Sequence, residues 1–141
     1  MKFIPYSTFE GNAEEAIQFY ADALDGEILT MTRYKDAPTD ALGFPIPDDY
    51  LDKVMHCALN IQGETLYFSD AFPGMPVTKG NGIAIMIACV TQEELRNTFD
   101  KLAQDGEVTM PVEQTFWGSV FGSLIDKFGI GWDLEYELPK E

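Results

Sequence analysis

A single histidine, a run of alternating carboxylates and a scatter of aromatic residues are the groups through which this chain could do chemistry. His56 is the sole imidazole in 141 residues. Imidazole changes charge near neutral pH, so His56 is the natural general acid or base. The stretch "GWDLEYEL" (131–138) alternates Trp132, Leu134 and Tyr136 with Asp133, Glu135 and Glu137. On a β-strand that spacing puts the apolar side chains on one face and the carboxylates on the other. Those acids form either a solvated face or one wall of a polar site. Tyr67 is suited to donate a proton to an oxyanion, with Asp133 or Asp70 orienting His56. Trp117, Phe121 and Tyr67 offer flat faces for stacking or for a cation.

Local elements must position these groups, and the chain spells one pattern of them twice. "FIPYSTF" (3–9) reads as a strand, and residues 11–25 as an amphipathic helix with Ala16, Phe19, Tyr20 and Leu24 at helical spacing. Gly26 is the expected helix stop. Three strand-like stretches follow, "ILTMTRY", "VMHCALNI" and "TLYFSD", with a loop rich in Pro and Asp over 36–53. The second copy opens with "GIAIMIACV" (82–90) and a helix over 91–105, where Thr91 and Glu94 make a capping box. "VTMPVEQTFW", "SVFGSLID" and "GWDLEYE" complete it. "EEAIQFYADALDGE" (14–27) aligns with "EELRNTFDKLAQDGE" (93–107), and Leu66 and Phe68 align with Trp132 and Leu134. Each copy is β-α-β-β-β and neither buries its apolar face alone. The expectation is an α+β domain with module 1 over 1–72, a Pro/Gly linker over 73–81 and module 2 over 82–138. Curved mixed sheets would surround a shared cavity, with helices on the outer faces.

Composition narrows the class. With 45% hydrophobic and 13% aromatic residues the chain is globular. A formal net charge of −15 argues against nucleic acid and anionic membrane as partners. No apolar run approaches a membrane span, and "MKFIPYSTF" lacks a signal peptide's core, so a cytoplasmic location is expected. Cys57 and Cys89 each sit in an apolar strand pattern, as buried thiols do.

Strand parity assigns faces. Ile83, Ile85, Ile87 and Cys89 share one face, Met55, Cys57, Leu59 and Ile61 another, and Leu66 with Phe68 a third. These take the helices. The opposite faces give a cavity wall of Ser7, His56, Asn60, Tyr67, Ser69, Met86, Ser119, Phe121, Asp133 and Glu135. Trp117 is an interface anchor, a stacking platform or ordinary core.

"FEGNAEEAIQFY", "HCALNIQG", "YFSDAFPG", "VTMPVEQTFWG" and "DKFGIGWDL" together resemble the vicinal oxygen chelate superfamily of glyoxalase and bleomycin-resistance proteins, in its PhnB-like branch. The resemblance covers nearly the whole chain. It implies paired βαβββ modules and, frequently, a homodimer. In metal-dependent relatives four side chains hold the ion, and the matching positions here are Pro5, Tyr67, Gly82 and Asp133. Proline and glycine have no ligating side chain, so neither a metal nor any other cofactor is expected. The branch also carries the label of a ubiquinone-pathway methyltransferase, but the chain lacks a glycine-rich strand-to-helix turn of the nucleotide-binding type.

Two functions from different classes remain. One is a binder of a small organic molecule, even a cationic one, held by Asp133 and Glu135 with Tyr67, Phe121 and Trp117 as walls. Ser7, Asn60, Ser69 and Met86 complete that site. The other is a metal-free enzyme in which His56, Tyr67 and Asp133 move a proton next to a carbonyl, as a lyase or isomerase does.

Overall fold

The computed structural model describes residues 1–38 and 41–140. Residues 39 and 40, inside the loop expected over 36–53, lie outside the described residues. Among the described residues the chain forms two α-helices and two four-stranded mixed sheets. It divides into two compact units after Thr78, within the Pro/Gly stretch 73–81.

The first unit runs β1 (Tyr6–Phe9), α1 (Ala13–Leu24), β2 (Glu27–Arg33), β3 (Val54–Ile61) and β4 (Glu64–Asp70). Its sheet order is β1-β4-β3-β2, with β1 parallel to β4 and the other pairs antiparallel. Ala16, Ile17, Tyr20, Ala23 and Leu24 make the buried stripe of α1, which packs on β3 and β4. Tyr20 stacks on Phe68 with ring centroids 5.6 Å apart. The second unit repeats the plan: β5 (Ile85–Ala88), α2 (Gln92–Ala103), β6 (Glu107–Gln114), β7 (Ser119–Ile125) and β8 (Gly131–Glu137), in sheet order β5-β8-β7-β6. Leu95, Phe99 and Leu102 of α2 face Leu124, Trp132 and Leu134 of the sheet side, all buried.

Several expectations shift. Both leading strands are shorter than their apolar runs: Phe3 and Ile83, at 91% and 92% exposure, precede β1 and β5. Ile85 and Ile87 are only half-buried. The stop of α1 is Asp25, which holds the left-handed conformation at φ 53°, and Asp105 does the same at φ 60° after α2. The glycines that follow serve close approach instead. A Cβ on Gly26 would come within 3.1 Å of the Leu59 and Ile61 side chains, and one on Gly106 within 2.4 Å of the Ile125 carbonyl. The repeated Asp-Gly-Glu thus turns each helix into its next strand by one device. At α2, Thr91 accepts from the Glu94 amide at 3.0 Å as the capping box requires, while Glu94 reaches the Val90 amide at 3.2 Å, one residue before the expected one.

Candidate functional site

Strand register decides which side chains share a face. In the first unit Tyr6 lies beside Tyr67 and Thr8 beside Ser69, and Ala58 lies across from Tyr67. Continuing the β3–β4 ladder by one step brings His56 opposite Ser69. The face away from α1 therefore carries Tyr6, Thr8, His56, Tyr67 and Ser69. Ser7 is in register with the buried Phe68. It stands on the helix side, so the expected wall position passes to its neighbours Tyr6 and Thr8. The reason is a parallel register, in which a one-residue offset swaps faces.

His56 meets Tyr67 edge to face at 4.8 Å between centroids, and Tyr6 lies 6.1 Å from the same imidazole. No hydrogen bond joins the His56 imidazole to another described residue. Asp70 is not its partner. The Asp70 carboxylate accepts from the amides of Gly11 at 2.8 Å, Ala13 at 3.0 Å and Val54 at 2.9 Å. It closes the start of α1 and the start of β3 from the end of β4.

That strand end gathers further chain. The Tyr34 hydroxyl donates to the Asp70 carbonyl at 2.8 Å, and the Tyr50 hydroxyl donates to the Ala71 carbonyl. Burial pushes the Tyr34 hydroxyl up to about 12, so it stays protonated. Phe72 packs edge-on against Tyr34 and Phe44. Glu10 accepts from the Val77 amide at 2.9 Å and holds the segment after Phe72. Between these parts and the open face is a pocket of about 460 Å³. Tyr6, Thr8, Met55 and Ser69 form its sheet side; Tyr34 and Leu42 close one flank, and Phe72, Met75, Pro76 and Val77 the other. Met55 was expected on the core face. The register shift between Thr32 and Arg33 lets Val54 turn inward, fully buried, and Met55 lines the pocket instead.

Of the expected wall residues Ser69 lines the pocket, and Asp70, expected beside His56, lines it too. His56 and Tyr67 share its sheet face, and Asn60 lies further along, paired with Thr65 and Glu27.

In the second unit the face away from α2 carries Met86, Asp133 and Ser123 in one row and Glu135 and Phe121 in the next. Asp133 accepts from the Ser123 hydroxyl at 2.6 Å, a partner that the sequence reading does not single out although it shares the parity of Phe121. Glu135 is half-buried and Glu137 exposed. Trp117 is 54% exposed, which removes ordinary core packing, and its ring meets Phe121 at 6.3 Å. Ser119 is buried and shares hydrogen bonds with Thr115. Cys57 and Cys89 are free and buried, and burial pushes both thiols up to about 11.

A family model described as 3-demethylubiquinone-9 3-methyltransferase matches residues 1–135. Protein PA1353 of Pseudomonas aeruginosa is 32% identical over 99% of both chains, with a TM-score of 0.85. A PhnB protein of Bacillus cereus is 30% identical over 96% of this chain and 99% of its own, with a TM-score of 0.77. The chain belongs to the PhnB-like branch of the vicinal oxygen chelate superfamily. A glyoxylase/bleomycin resistance protein/dioxygenase domain of Frankia is similar in fold alone, at 11% identity over 100% of this chain and 95% of its own and a TM-score of 0.69.

The positions that the resemblance implies for a metal offer few side-chain donors in this chain. Pro5 offers only its carbonyl, which already accepts from the Tyr67 amide at 3.0 Å. Gly82 has no side chain, and Asp133 is bonded to Ser123. Among the described residues no three His, Cys, Asp or Glu side chains converge.

Proposed function

We propose that this PhnB-like protein binds a small organic molecule in the pocket of its first unit, without a metal. The observation that carries the proposal is a pocket of about 460 Å³ against the open sheet face. That volume falls in the ~300–1,000 Å³ range of small-molecule sites, and the walls are mainly apolar with few polar groups. The binding reading is favoured over proton transfer because His56 has aromatic neighbours and no carboxylate hydrogen-bonded to it among the described residues.

The six methionines give a direct test. With ¹³C-methyl-labelled Met, a small-molecule library should yield compounds that shift the Met55 and Met75 signals and leave Met86 and Met110 in place. Compounds that bind and move only Met86 or Met110 would refute the assignment to the first unit. Elemental analysis after dialysis should find no stoichiometric transition metal. About one ion per chain, lost on Asp133→Ala, would overturn the metal-free reading. Exposed Phe116 and Ile83, and the largely exposed strand β6, support a homodimer, which sedimentation at micromolar concentration would check.

A further inference from the structure

We infer that the first unit's pocket takes an uncharged, ring-shaped molecule bearing a carbonyl, hydroxyl or ring nitrogen, and that the Ser69 hydroxyl is its hydrogen-bonding partner. The inference rests on the binding reading above and adds the chemical class of the ligand.

Ser69 is 8% exposed, yet its hydroxyl makes no hydrogen bond to any described residue. Among the described residues no fully enclosed side-chain nitrogen or oxygen lacks a partner. The Ser69 oxygen is therefore accessible, and the surface it opens on is the pocket it lines. A nearly buried hydroxyl facing a largely apolar space gains from a ligand atom that completes its hydrogen bond.

Charge is excluded from both directions. The one carboxylate at the pocket, that of Asp70, is held by three backbone amides. The lining contains no Lys, Arg or His. An anion would meet no counter-charge, in a chain with a formal net charge of −15, and a cation would meet only the Asp70 carboxylate, whose oxygens already accept from three amides. Burying either without a partner is costly. The Asp133, Glu135, Trp117 and Phe121 group, on which a cationic ligand was expected from sequence, belongs to the second unit.

The remaining walls favour rings. Tyr6, Tyr34 and Phe72 supply aromatic surface, and Met55 and Met75 supply thioethers that adapt to a ring edge. The polar group of the ligand would point at the sheet, toward Ser69.

A matched set of probes on the full chain separates these claims: 2-naphthol, naphthalene, 2-naphthoate and 2-naphthylmethylammonium at pH 7, titrated while the Met55 and Met75 methyl signals are followed. 2-Naphthol should bind at least tenfold more tightly than either charged probe. Ser69→Ala should weaken 2-naphthol by roughly three- to tenfold and leave naphthalene within about twofold. Ser69→Cys, close in shape but a weak donor, should behave like Ser69→Ala and serves in its place if the alanine variant fails to fold. A charged probe that binds as tightly as 2-naphthol, or an equal loss of naphthalene and 2-naphthol in the variants, overturns the ligand class while leaving the pocket as the site. If no probe moves Met55 or Met75 at millimolar concentration, the binding reading itself falls.

Discussion

The two units are built on one topology but tie off their strand ends differently. In the first, Asp70 at the end of β4 accepts from amides 59, 57 and 16 residues away in sequence. In the second, Asp126 after β7 accepts from Phe128, Ile130 and the Trp132 indole, none more than six residues away. The first arrangement draws the helix start, the long β2–β3 connection and the segment after β4 to one point. Tyr34 and Tyr50 reinforce it through the carbonyls of Asp70 and Ala71. The second stabilises one tight turn and one indole, and β8 ends with a Leu138 amide donating to Gly118. In the first unit, where these loops converge on the sheet face, the pocket forms.

The largest expected effect sharpens that contrast. Asp70→Ala leaves three backbone donors unpaired and should cost about 3–5 kcal/mol in urea melts. Asp126→Ala should cost less, about 2–3 kcal/mol, because two of these three donors are part-buried turn amides and only the Trp132 indole is buried. An Asp126 loss that exceeds the Asp70 loss would mean that the long-range tie is not what organises the first unit.

Core truncation comes next. Leu59→Ala, at a fully buried position of the first sheet, should cost about 2–5 kcal/mol. Ile85→Ala, which parity alone would rank with it, should cost only about 1–2 kcal/mol, since Ile85 is half-buried on the short strand β5. Equal losses in parallel melts would place β5 deeper in its unit than the half-burial of Ile85 implies.

The smallest effect belongs to the first unit's surface. Glu14 accepts from both Arg33 terminal nitrogens, at 2.9 and 2.8 Å. The side-chain hydrogen bond from Arg33 lowers the Glu14 carboxyl below its usual 4.5. A lowered folded value means that the stabilisation is present above pH 4.5 and is lost as the pH falls through the folded value. The pair is partly exposed and screened, so its contribution is about 0.2–1 kcal/mol. Glu14→Gln should flatten the acid limb of stability by that amount. A variant that matches the wild type at pH 3 to 7 would show the pair to be energetically silent.

Much of the scaffold was legible in the residues. The repeated Asp-Gly-Glu marked both helix-to-strand turns, and Leu66, Phe68, Trp132 and Leu134 announced the buried faces of β4 and β8. What could not be read was anything set by register or by distant closure. The inward turn of Val54 depends on a bulge beside it at Met55, where β3 advances two residues against one of β2, and a bulge leaves no trace in alternation. Ser7 and Thr8 exchange faces with the offset of a parallel pair. Tyr34, Phe72 and Met75 carry no strand pattern at all. They reach the pocket because Asp70, Tyr50 and Glu10 fold the loops back. Ser69 and His56, by contrast, share the face that alternation within their own strands assigns them.

The most direct test is a crystal structure of the protein grown with saturating 2-naphthol. Ordered ring density should lie among Tyr34, Met55 and Phe72, with the naphthol oxygen within hydrogen-bond distance of the Ser69 hydroxyl. Density seated instead on Trp117 and Phe121, with the first unit's pocket filled only by water, would contradict it.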